Sequence, residues 1–209
     1  MRLSSRAVLI GSAVLAAVIL VFGVGGVLLG REILINHADT PLIRNVARVT
    51  HFPIARVGSR LITYPEFLAQ TDAQRTYLKG KEAAALGMSG APTLEMQQSV
   101  YDQLIRVAAI EDLAKKYDFQ VTPLDVDRSY DDLINQAGTS TSPGEVQNYL
   151  KENFGWSDKE FKEYIIRPAL LKTGLAEKRK KDTGKDDAFD TELEARVKAP
   201  DVSRWLRFN

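Results

Sequence analysis

Hydrophobic positions along the chain follow three patterns that predict different kinds of element. Residues 7–29 form an apolar run of 23 residues without a charged side chain, and as a helix this run would be roughly 34 Å long, enough to cross a bilayer core of about 30 Å. Two short apolar runs within residues 54–63 predict β-strands. From residue 64 onward most apolar residues recur at helical spacing. The chain is therefore predicted to be mainly α-helical, with a membrane anchor and a small antiparallel sheet.

The two predicted strands lead directly into a helix. Gly58-Ser59 joins them and suits a two-residue hairpin, because glycine accepts the positive φ that the first turn position requires. Thr63, followed three residues later by Glu66, is typical of a capping box at a helix start. Pro65 is tolerated in the first helical turn. The sequence thus predicts a hairpin followed at once by a capped helix.

Cap residues and apolar periodicity divide the rest of the chain. Helices are predicted at about 64–86, 94–117, 122–138, 143–153, 157–181 and 189–197, followed by a strand at 202–208. The helix at 94–117 has apolar residues around most of its circumference and is predicted to form the centre of the core. Pro168 is expected to kink the helix in which it lies, because it lacks a backbone N–H.

The apolar run at the N-terminus allows two interpretations. An uncleaved anchor is favoured over a cleaved signal peptide, whose apolar region is shorter, about 7–15 residues. Arg2 and Arg6 precede the run, so the positive-inside rule places the amino terminus in the cytoplasm and residues 31–209 outside. Gly26 and Gly30 form a GxxxG pattern that would permit a weak homodimer, although glycine is common in membrane helices generally.

Composition argues against several functional classes. The 209 residues are 44% hydrophobic and carry a net charge of +1, with basic and acidic residues interspersed, so nucleic acid is not an expected partner. The chain contains no cysteine, which removes disulfides and thiol chemistry from consideration. His37 and His51 are fourteen residues apart without a nearby carboxylate cluster. No metal or cofactor is predicted, and we interpret both histidines as solvated linker residues.

The hairpin and its cap carry a resemblance to a known family. The residues in register with the family's opening pattern are Val57, Gly58, Ser59, Ile62, Thr63, Glu66 and Phe67. They resemble the start of the SurA-like N-terminal chaperone domain, found in extracytoplasmic foldases of the SurA, PpiD and PrsA type, with Gly-Ser in place of the usual Asn-Gly turn. Residues 98–127 are similar to the family's second helix and the turn after it, with Asp118 where glycine is commoner. Residues 154–178 resemble its closing long helix.

The resemblance implies a helical bundle whose C-terminal helix and strand return to the start of the domain. The strand at 202–208 is expected to pair with 54–57 or with 61–63, giving a three-stranded sheet more stable than an isolated hairpin. In the alternative, Trp205 and its apolar neighbours would dip into the membrane surface, but their alternating spacing favours a strand.

The predicted organisation has three parts: an anchor at 1–30, a juxtamembrane stalk at 31–51 and a SurA-like domain at 52–209. Many members of the family carry a parvulin-type prolyl isomerase domain after the long helix. Only residues 182–187 separate that helix from the next one here, whereas a domain needs about 50 residues. We therefore predict that no isomerase domain is inserted at this point.

The leading hypothesis is a membrane-anchored, ATP-independent chaperone that binds unfolded or nascent secreted or envelope proteins outside the cytoplasmic membrane of a bacterium. The alternatives are a prolyl isomerase with an atypical site and an adaptor that recruits a foldase or a secretion partner. No catalytic residue is predicted. Candidate contacts with the client are Tyr77, Leu86, Met88, Met96 and Tyr101, because methionine and tyrosine adapt to varied partners; ordinary core packing is the alternative for each.

Overall fold

The structure, a computed structural model, describes residues 29–88, 90–136 and 143–208. Residues 29–34 are helical. The elements that follow are α1 (Pro41–Thr50), β1 (Pro53–Val57), β2 (Arg60–Thr63), α2 (Tyr64–Lys79), α3 (Lys81–Ala85), α4 (Leu94–Lys116), α5 (Pro123–Gln136), α6 (Pro143–Phe154), α7 (Asp158–Phe161), a π-helical turn (Lys162–Ile166), α8 (Arg167–Thr183), α9 (Ala188–Val197) and β3 (Ser203–Arg204). The described fold is mainly helical with a small antiparallel sheet, as predicted.

The predicted anchor at 7–29 lies outside the described residues except for Leu29. None of the helices in the described ranges combines the length and the hydropathy that a membrane crossing requires.

The sheet has the strand order β2-β1-β3, with both pairs antiparallel. Gly58 has a φ of +56° in the two-residue turn between β1 and β2. In β3, Arg204 pairs with Ala55 and Ser203 with Arg56, so the C-terminal strand returns to the first hairpin strand. The predicted return of the C-terminal tail to the hairpin is confirmed. Of the two predicted partners, 54–57 and 61–63, the tail pairs with the first.

The C-terminal strand is shorter than the predicted span of 202–208. After Arg204 the regular pairing ends, although the N–H groups of Trp205 and Leu206 still donate to the carbonyl of Ile54 at 3.0 and 3.3 Å. The N–H of Arg207 then donates to the carbonyl of Leu34 at 3.0 Å. Leu206 is only 4% exposed, and the ring of Phe208 lies 5.6 Å from that of Tyr101. Because Leu206 and Phe208 pack inward, this part of the tail belongs to the core, whereas Trp205 is 36% exposed.

Three helix starts use the same reciprocal cap. The Glu66 carboxylate accepts hydrogen bonds from the backbone N–H of Thr63 at 2.7 Å and from its hydroxyl at 3.0 Å. Asp125 accepts the N–H of Thr122 at 2.9 Å in the same way, and Glu160 repeats the arrangement before α7. Each cap satisfies N–H groups that have no partner within the helix, which is why these starts could be predicted.

The helix predicted at 64–86 is interrupted at Gly80. Gly80 has extended backbone angles, φ −74° and ψ 160°, and its N–H donates to the carbonyl of Tyr77 at 2.8 Å. Helix α2 therefore ends at Lys79, and the short helix α3 continues from Lys81. Glycine favours such a break because an ordered helical conformation costs it more backbone entropy than any other residue.

The kink expected at Pro168 takes the form of a π-helical turn. The N–H of Arg167 donates to the carbonyl of Lys162, five residues back rather than four. Pro168 follows at once and is buried. A proline ring crowds the carbonyl four residues before it, and the wider turn is one of the arrangements that accommodates this.

Helix α4 is the centre of the core, as predicted. Its fully or nearly buried residues are Val100, Tyr101, Ile105, Ala108, Ala109, Ile110, Leu113 and Ala114. Both hairpin strands and helices α2, α8 and α9 pack against it. The hydroxyl of Tyr101 donates to the carbonyl of Ile54 at 2.9 Å, which ties α4 to the sheet.

The segment predicted as a stalk, residues 31–51, packs onto the domain. Ile33 and Ala47 are fully buried in the same core as the hairpin. His37 is not a solvated linker residue, since its ring nitrogen Nε2 lies 2.6 Å from the carbonyl oxygen of Arg207 and its ring contacts that of Phe208. The contacts of this segment join residues distant in sequence, some of them at the far end of the chain, so local periodicity gave no signal for them.

A network of two arginines and two aspartates joins this segment to α2. Arg44 forms a two-pronged pair with Asp72, at 2.6 and 2.9 Å, and also bonds Asp39. Arg75 closes the network by bonding both aspartates. Burial acts to raise the pKa of Asp39, but the hydrogen bonds and charges of Arg44 and Arg75 outweigh it and hold the pKa below its usual range.

Candidate functional site

An open groove of about 460 Å³ lies between α2, α4 and the segment that leads from the end of α6 into α8. Helix α2 forms its first wall through Gln70, Ala73, Gln74 and Tyr77. Residues three and four apart lie on the same face of a helix. This face of α2 therefore looks into the groove along two turns.

Helix α4 forms the second wall through Met96, Val100, Leu104 and Val107, which also follow helical spacing. The hairpin and the tail cover the other side of the same helix, where Ile105 is fully buried. The apolar circumference of α4 is thus covered by the protein on one side and left open on the other.

A row of aromatic rings forms the third wall. Tyr77 and Phe154 stack with 5.7 Å between ring centroids, Phe154 and Trp156 stack at 5.3 Å, and Trp156 and Tyr164 follow at 6.0 Å. Gly155 lies between Phe154 and Trp156 with a φ of +70°, a left-handed conformation that ends α6. The turn at this glycine places the two neighbouring aromatic residues on the same wall.

The π-helical turn contributes further apolar surface. Ile165 is 42% exposed and lines the groove together with Tyr164 and Pro168. In a π-helical turn one residue more than usual fits between hydrogen-bonded groups, which changes the direction of the side chains that follow. The irregular part of the last long helix is therefore the part that faces the groove.

One end of the groove is charged. Arg60 pairs with Glu66 at 3.1 Å and with Glu111, and Arg167 reaches Glu111 at 3.3 Å. Glu163 lines the same groove and adds a third carboxylate. Two guanidinium groups against three carboxylates leave this end with an excess of one formal negative charge.

Two residues that line the groove each carry a buried polar atom without a hydrogen-bond partner among the described residues. The atoms are the indole Nε1 of Trp156 and the amide oxygen Oε1 of Gln74. The first can only donate a hydrogen bond and the second can only accept one. A buried polar group without a partner costs free energy, and both atoms are shielded from solvent rather than exposed at the groove surface.

The groove has the chemistry of a binding surface. Burial raises the pKa of Tyr164, with a further contribution from nearby carboxylates, so its hydroxyl stays neutral near pH 7. No histidine occurs among the described residues that line the groove, and within the described ranges no cluster of histidine and acidic side chains could hold a metal. The lining offers apolar and aromatic contact, with charged side chains at one end.

Two other depressions differ from the groove. One, of about 220 Å³, is bordered by His37, Asp39 and Arg75 and belongs to the region of the ion network. The other, of about 600 Å³, lies beside the π-helical turn and is bordered by charged side chains that include Asp127 and Lys162. The first is also bordered by Tyr64, Phe67, Leu68 and Leu94 but is about half the volume of the groove, and the second has no aromatic residue among its described lining.

The family of the chain follows from a comparison with known families. The SurA-like N-terminal domain family matches residues 1–173 of the 209. The chain belongs to this family. The match includes the hairpin, α2, α4 and the aromatic wall, and relates the SurA-like chain to chaperone and protein-folding proteins. Neither the curated proteins nor the solved structures contain a significant match to it.

Three of the five sequence-predicted contact residues of this SurA-like chain line the groove, namely Tyr77, Met88 and Met96. Leu86 is 67% exposed but lies outside the groove. Tyr101 is only 3% exposed and is bonded to the hairpin, so it belongs to the covered side of α4. Sequence spacing identified apolar residues of the right type but could not say which side of the helix the chain itself would cover.

Sequence reasoning did not propose the aromatic wall as part of the site. Phe154 and Trp156 lie between the helices predicted at 143–153 and 157–181, and Tyr164 lies within the second of them. The signal that could have revealed them is the tripeptide Phe154-Gly155-Trp156, in which a glycine separates two large rings at the end of a helix. A left-handed glycine there brings the rings to one side, and only the packing of α6 on α2 adds Tyr77 to them.

Proposed function

We propose that the protein is a membrane-anchored, ATP-independent chaperone that binds unfolded secreted or envelope proteins in its open groove. In this proposal residues 7–29 span the cytoplasmic membrane of a bacterium, the amino terminus lies in the cytoplasm, and residues 31–209 lie outside. The family to which the chain belongs supports the general theme of chaperone activity. The groove supports the specific mechanism.

The observation that carries the proposal is an apolar groove left open inside a well-packed bundle. Val100 and Ala73 at its base are nearly buried, whereas Met88 and Ile165 at its edge expose much of their side chains. Apolar surface in contact with water is costly, and contiguous patches of it commonly mark interaction sites. An unfolded chain exposes apolar segments that would cover this surface, and both partners would then remove apolar area from water.

The expected binding is weak and reversible. A groove of about 460 Å³ falls within the range of sites that hold small ligands or a few side chains, so each client segment contributes only modest affinity. A tether in the membrane raises the local concentration of the groove near chains that emerge there. The sequence contains no phosphate-binding glycine loop, so release follows from mass action and from folding of the client.

The test compares the same substitution at two apolar residues that are similarly exposed, one inside the groove and one outside it. Ile165→Glu places a charge in the groove, and Leu133→Glu places the same charge on α5, where Leu133 is 47% exposed and outside the groove. Purified full-length protein in nanodiscs is mixed with a chemically unfolded client, and light scattering reports aggregation. The proposal predicts that wild type and Leu133→Glu suppress aggregation, whereas Ile165→Glu requires several times more protein for the same effect.

The same assay separates the proposal from its alternatives. Equal suppression of aggregation by the two variants would show that the groove does not bind the client. A gain in the refolding rate of a proline-limited client, without suppression of aggregation, would favour a prolyl isomerase. Preferential binding of folded partners over unfolded chains would favour an adaptor.

A further inference from the structure

Helix α1 leaves an apolar face uncovered. The two most exposed large apolar side chains in the described part of the chain, Val49 at 81% and Leu42 at 73%, both belong to this helix. We infer that α1 lies along the surface of the bilayer, with Leu42 and Val49 among the lipid headgroups and Arg48 beside anionic phosphates. This inference rests on the membrane anchor of the proposed function, and it adds a second contact between the chain and the membrane.

The exposed apolar residues of α1 share one face. Leu42 and Val49 are seven residues apart, close to two helical turns, so their side chains point in nearly the same direction. Asn45 lies between them and is also exposed, whereas Ala47 on the other face is fully buried in the core. The outer face therefore keeps two large apolar side chains in water, and a bilayer interface would cover them.

The end of α1 lies beside the point where the proposed anchor ends. A Cβ atom on Gly30 would be 3.8 Å from the ring carbon Cζ of Phe52, and Leu29 packs against the same core as Phe52. Val49 is three residues before Phe52, which limits the distance between their Cα atoms to about 11 Å. The headgroup layer extends about 5–8 Å beyond the hydrocarbon core on each side. This end of α1 is thus held close to the lipid interface.

The charges around this face are positive. Residues 40–65 contain four arginines and neither aspartate nor glutamate, although the whole chain has a net charge of only +1. Arg48 is exposed on α1, and within the described ranges it forms a hydrogen bond to Asn45 at 3.4 Å but no ion pair. A basic residue near an anionic bilayer is attracted to it. Charge and apolar surface on α1 therefore favour the same partner.

Helix α1 is fixed to the rest of the domain. Arg44 bonds Asp72 of α2 at 2.6 and 2.9 Å, and Ala47 is buried. A free peptide would lose conformational and translational entropy on binding, whereas this helix is already ordered and, in the proposal, tethered at the membrane. Contact of α1 with the bilayer would consequently hold the whole domain in one orientation relative to the membrane.

The experiment reads the environment of single positions on α1. The chain contains no cysteine, so Leu42→Cys, Asn45→Cys and Val49→Cys can each carry one nitrobenzoxadiazole fluorophore in the full chain. Leu124→Cys is the control, because Leu124 is 65% exposed on α5, which packs against the π-helical turn around a separate hydrophobic cluster. Each labelled protein is placed in nanodiscs of phosphatidylethanolamine and phosphatidylglycerol that contain a lipid with a doxyl quencher near the headgroup.

Fluorescence at positions 42 and 49 should move to shorter wavelength and be quenched by the doxyl lipid. At position 124 it should stay unquenched and similar to that of a probe in water. The probe at position 45 tests the native side chains, because Leu42→Ser combined with Val49→Ser should abolish its quenching. Both side chains are exposed, so the double change should leave the fold intact. Leu124→Ser is the matched control and should leave the quenching unchanged.

Arg48→Gln tests the contribution of charge. Fluorescence lifetimes of the probe at position 45 separate molecules in contact with lipid from those in contact with water. On nanodiscs that contain phosphatidylglycerol, the substitution should lower the ratio of these two populations about fivefold, the effect of one basic residue at an anionic surface. On neutral phosphatidylcholine nanodiscs it should have no effect. An equal effect on the two lipids would overturn the role assigned to Arg48.

The outcomes separate this inference from the proposed function, since suppression of aggregation is measured on the same samples. Unquenched probes at 42 and 49, in protein that enters nanodiscs and suppresses aggregation, would overturn the inference and leave the chaperone proposal standing. Quenching at position 49 alone would show that α1 points away from the bilayer, and would also overturn it. Quenching at both positions without suppression of aggregation would support the inference and contradict the chaperone. A chain that does not enter nanodiscs would contradict the anchor and the inference together.

Discussion

The two sides of helix α4 differ in what covers them. On one side Tyr101 and Ile105 pack against the hairpin and the C-terminal tail, and the tail is held by hydrogen bonds to Ile54 and Leu34. On the other side Met96 and Leu104 line an open groove. The residues on both sides are apolar, so composition does not distinguish them. The difference lies in whether another part of the same chain reaches them.

The comparison suggests that the two sides of α4 have different roles, one in stability and one in binding. The covered side holds the domain together, since every apolar residue there removes area from water on folding. The open side gives up part of that stabilisation, and a ligand could restore it. Ligand-binding elements are generally found in regions of low local stability. Single substitutions on the two sides of α4, measured for their effects on the free energy of unfolding and on client binding, should show whether this helix follows that pattern.

The largest expected effect comes from adjacent residues on the two sides of α4. Ile105→Ala removes a fully buried side chain and should lower the free energy of unfolding by about 4 kcal/mol, within the range for such truncations. Leu104→Ala, on the groove side, should cost only about 1–2 kcal/mol because its surroundings are partly open. Urea unfolding of the full chain in detergent, followed by tryptophan fluorescence, measures both.

Client binding should show the opposite order. Under conditions in which both variants are folded, Leu104→Ala should weaken suppression of aggregation, and Ile105→Ala should leave it unchanged. Equal effects of the two substitutions on stability, or a larger binding defect in Ile105→Ala, would remove the distinction between a covered and an open side.

The next largest effect concerns the closure by the tail. Leu206→Ala truncates a side chain that is nearly buried between the hairpin and residues near the start of the domain, and it should cost about 3 kcal/mol. Leu124→Ala is the control, because Leu124 is mostly exposed and the same truncation there should change stability by less than about 0.5 kcal/mol. If the two variants unfold at the same urea concentration, the tail does not contribute to the core.

The hairpin turn should show a smaller effect. A Cβ atom on Gly58 would lie 2.5 Å from the carboxylate of Asp112, which pairs with Arg196 at 2.6 Å. Gly184 also has a positive φ, but a Cβ there would meet nothing within 4 Å. Gly184→Ala should therefore cost about 1 kcal/mol for the backbone conformation alone, and Gly58→Ala about 1 kcal/mol more for the steric conflict. Equal costs for the two variants would contradict the close packing of the turn.

The smallest effect is a pH dependence of the ion network at Arg44. The pKa of Asp39 is lowered in the folded state, so its contribution to stability is fully present above the unfolded value of about 3.9 and is lost as the pH falls below that value. Because the network is partly exposed, this contribution should be below about 1 kcal/mol. Unfolding measured between pH 6 and about pH 2.5 should show a shallower acid decline for Asp39→Asn than for wild type.

A control for that measurement is Asp132→Asn, since Asp132 is exposed and takes part in no ion pair within the described part of the chain. Its acid decline should match that of wild type. An Asp39→Asn protein whose stability falls as steeply as that of wild type would show that the network does not stabilise the ionised carboxylate.

Local signals in the sequence identified much of the covered side. Gly58 and the pair Thr63 and Glu66 determine the hairpin and the helix start through backbone conformation and capping, which act over a few residues. Asp118 is another example, because its φ of +47° explains why glycine is commoner at that position in the family. Such features depend on neighbours in sequence, so they can be recognised without a structure.

The groove could be predicted only in part, because its walls come from distant segments. Tyr77 and Met96 were proposed from their chemistry, but the aromatic wall depends on α6 packing against α2, a contact that no local period encodes. Tyr101 was assigned to the same surface because helical spacing does not reveal which side a tail one hundred residues away will cover. The burial of Ile33 was missed for the same reason.

The central claim is that unfolded chains bind between α2, α4 and the aromatic wall, and photo-crosslinking from α4 tests it most directly. Gln103 and Gln98 are both exposed residues of α4, and only Gln103 lines the groove. With p-benzoylphenylalanine at either position of the full chain in nanodiscs, an unfolded client should crosslink strongly to position 103 and weakly to position 98. Equal crosslinking at the two positions, or crosslinking from position 98 alone, would contradict the account.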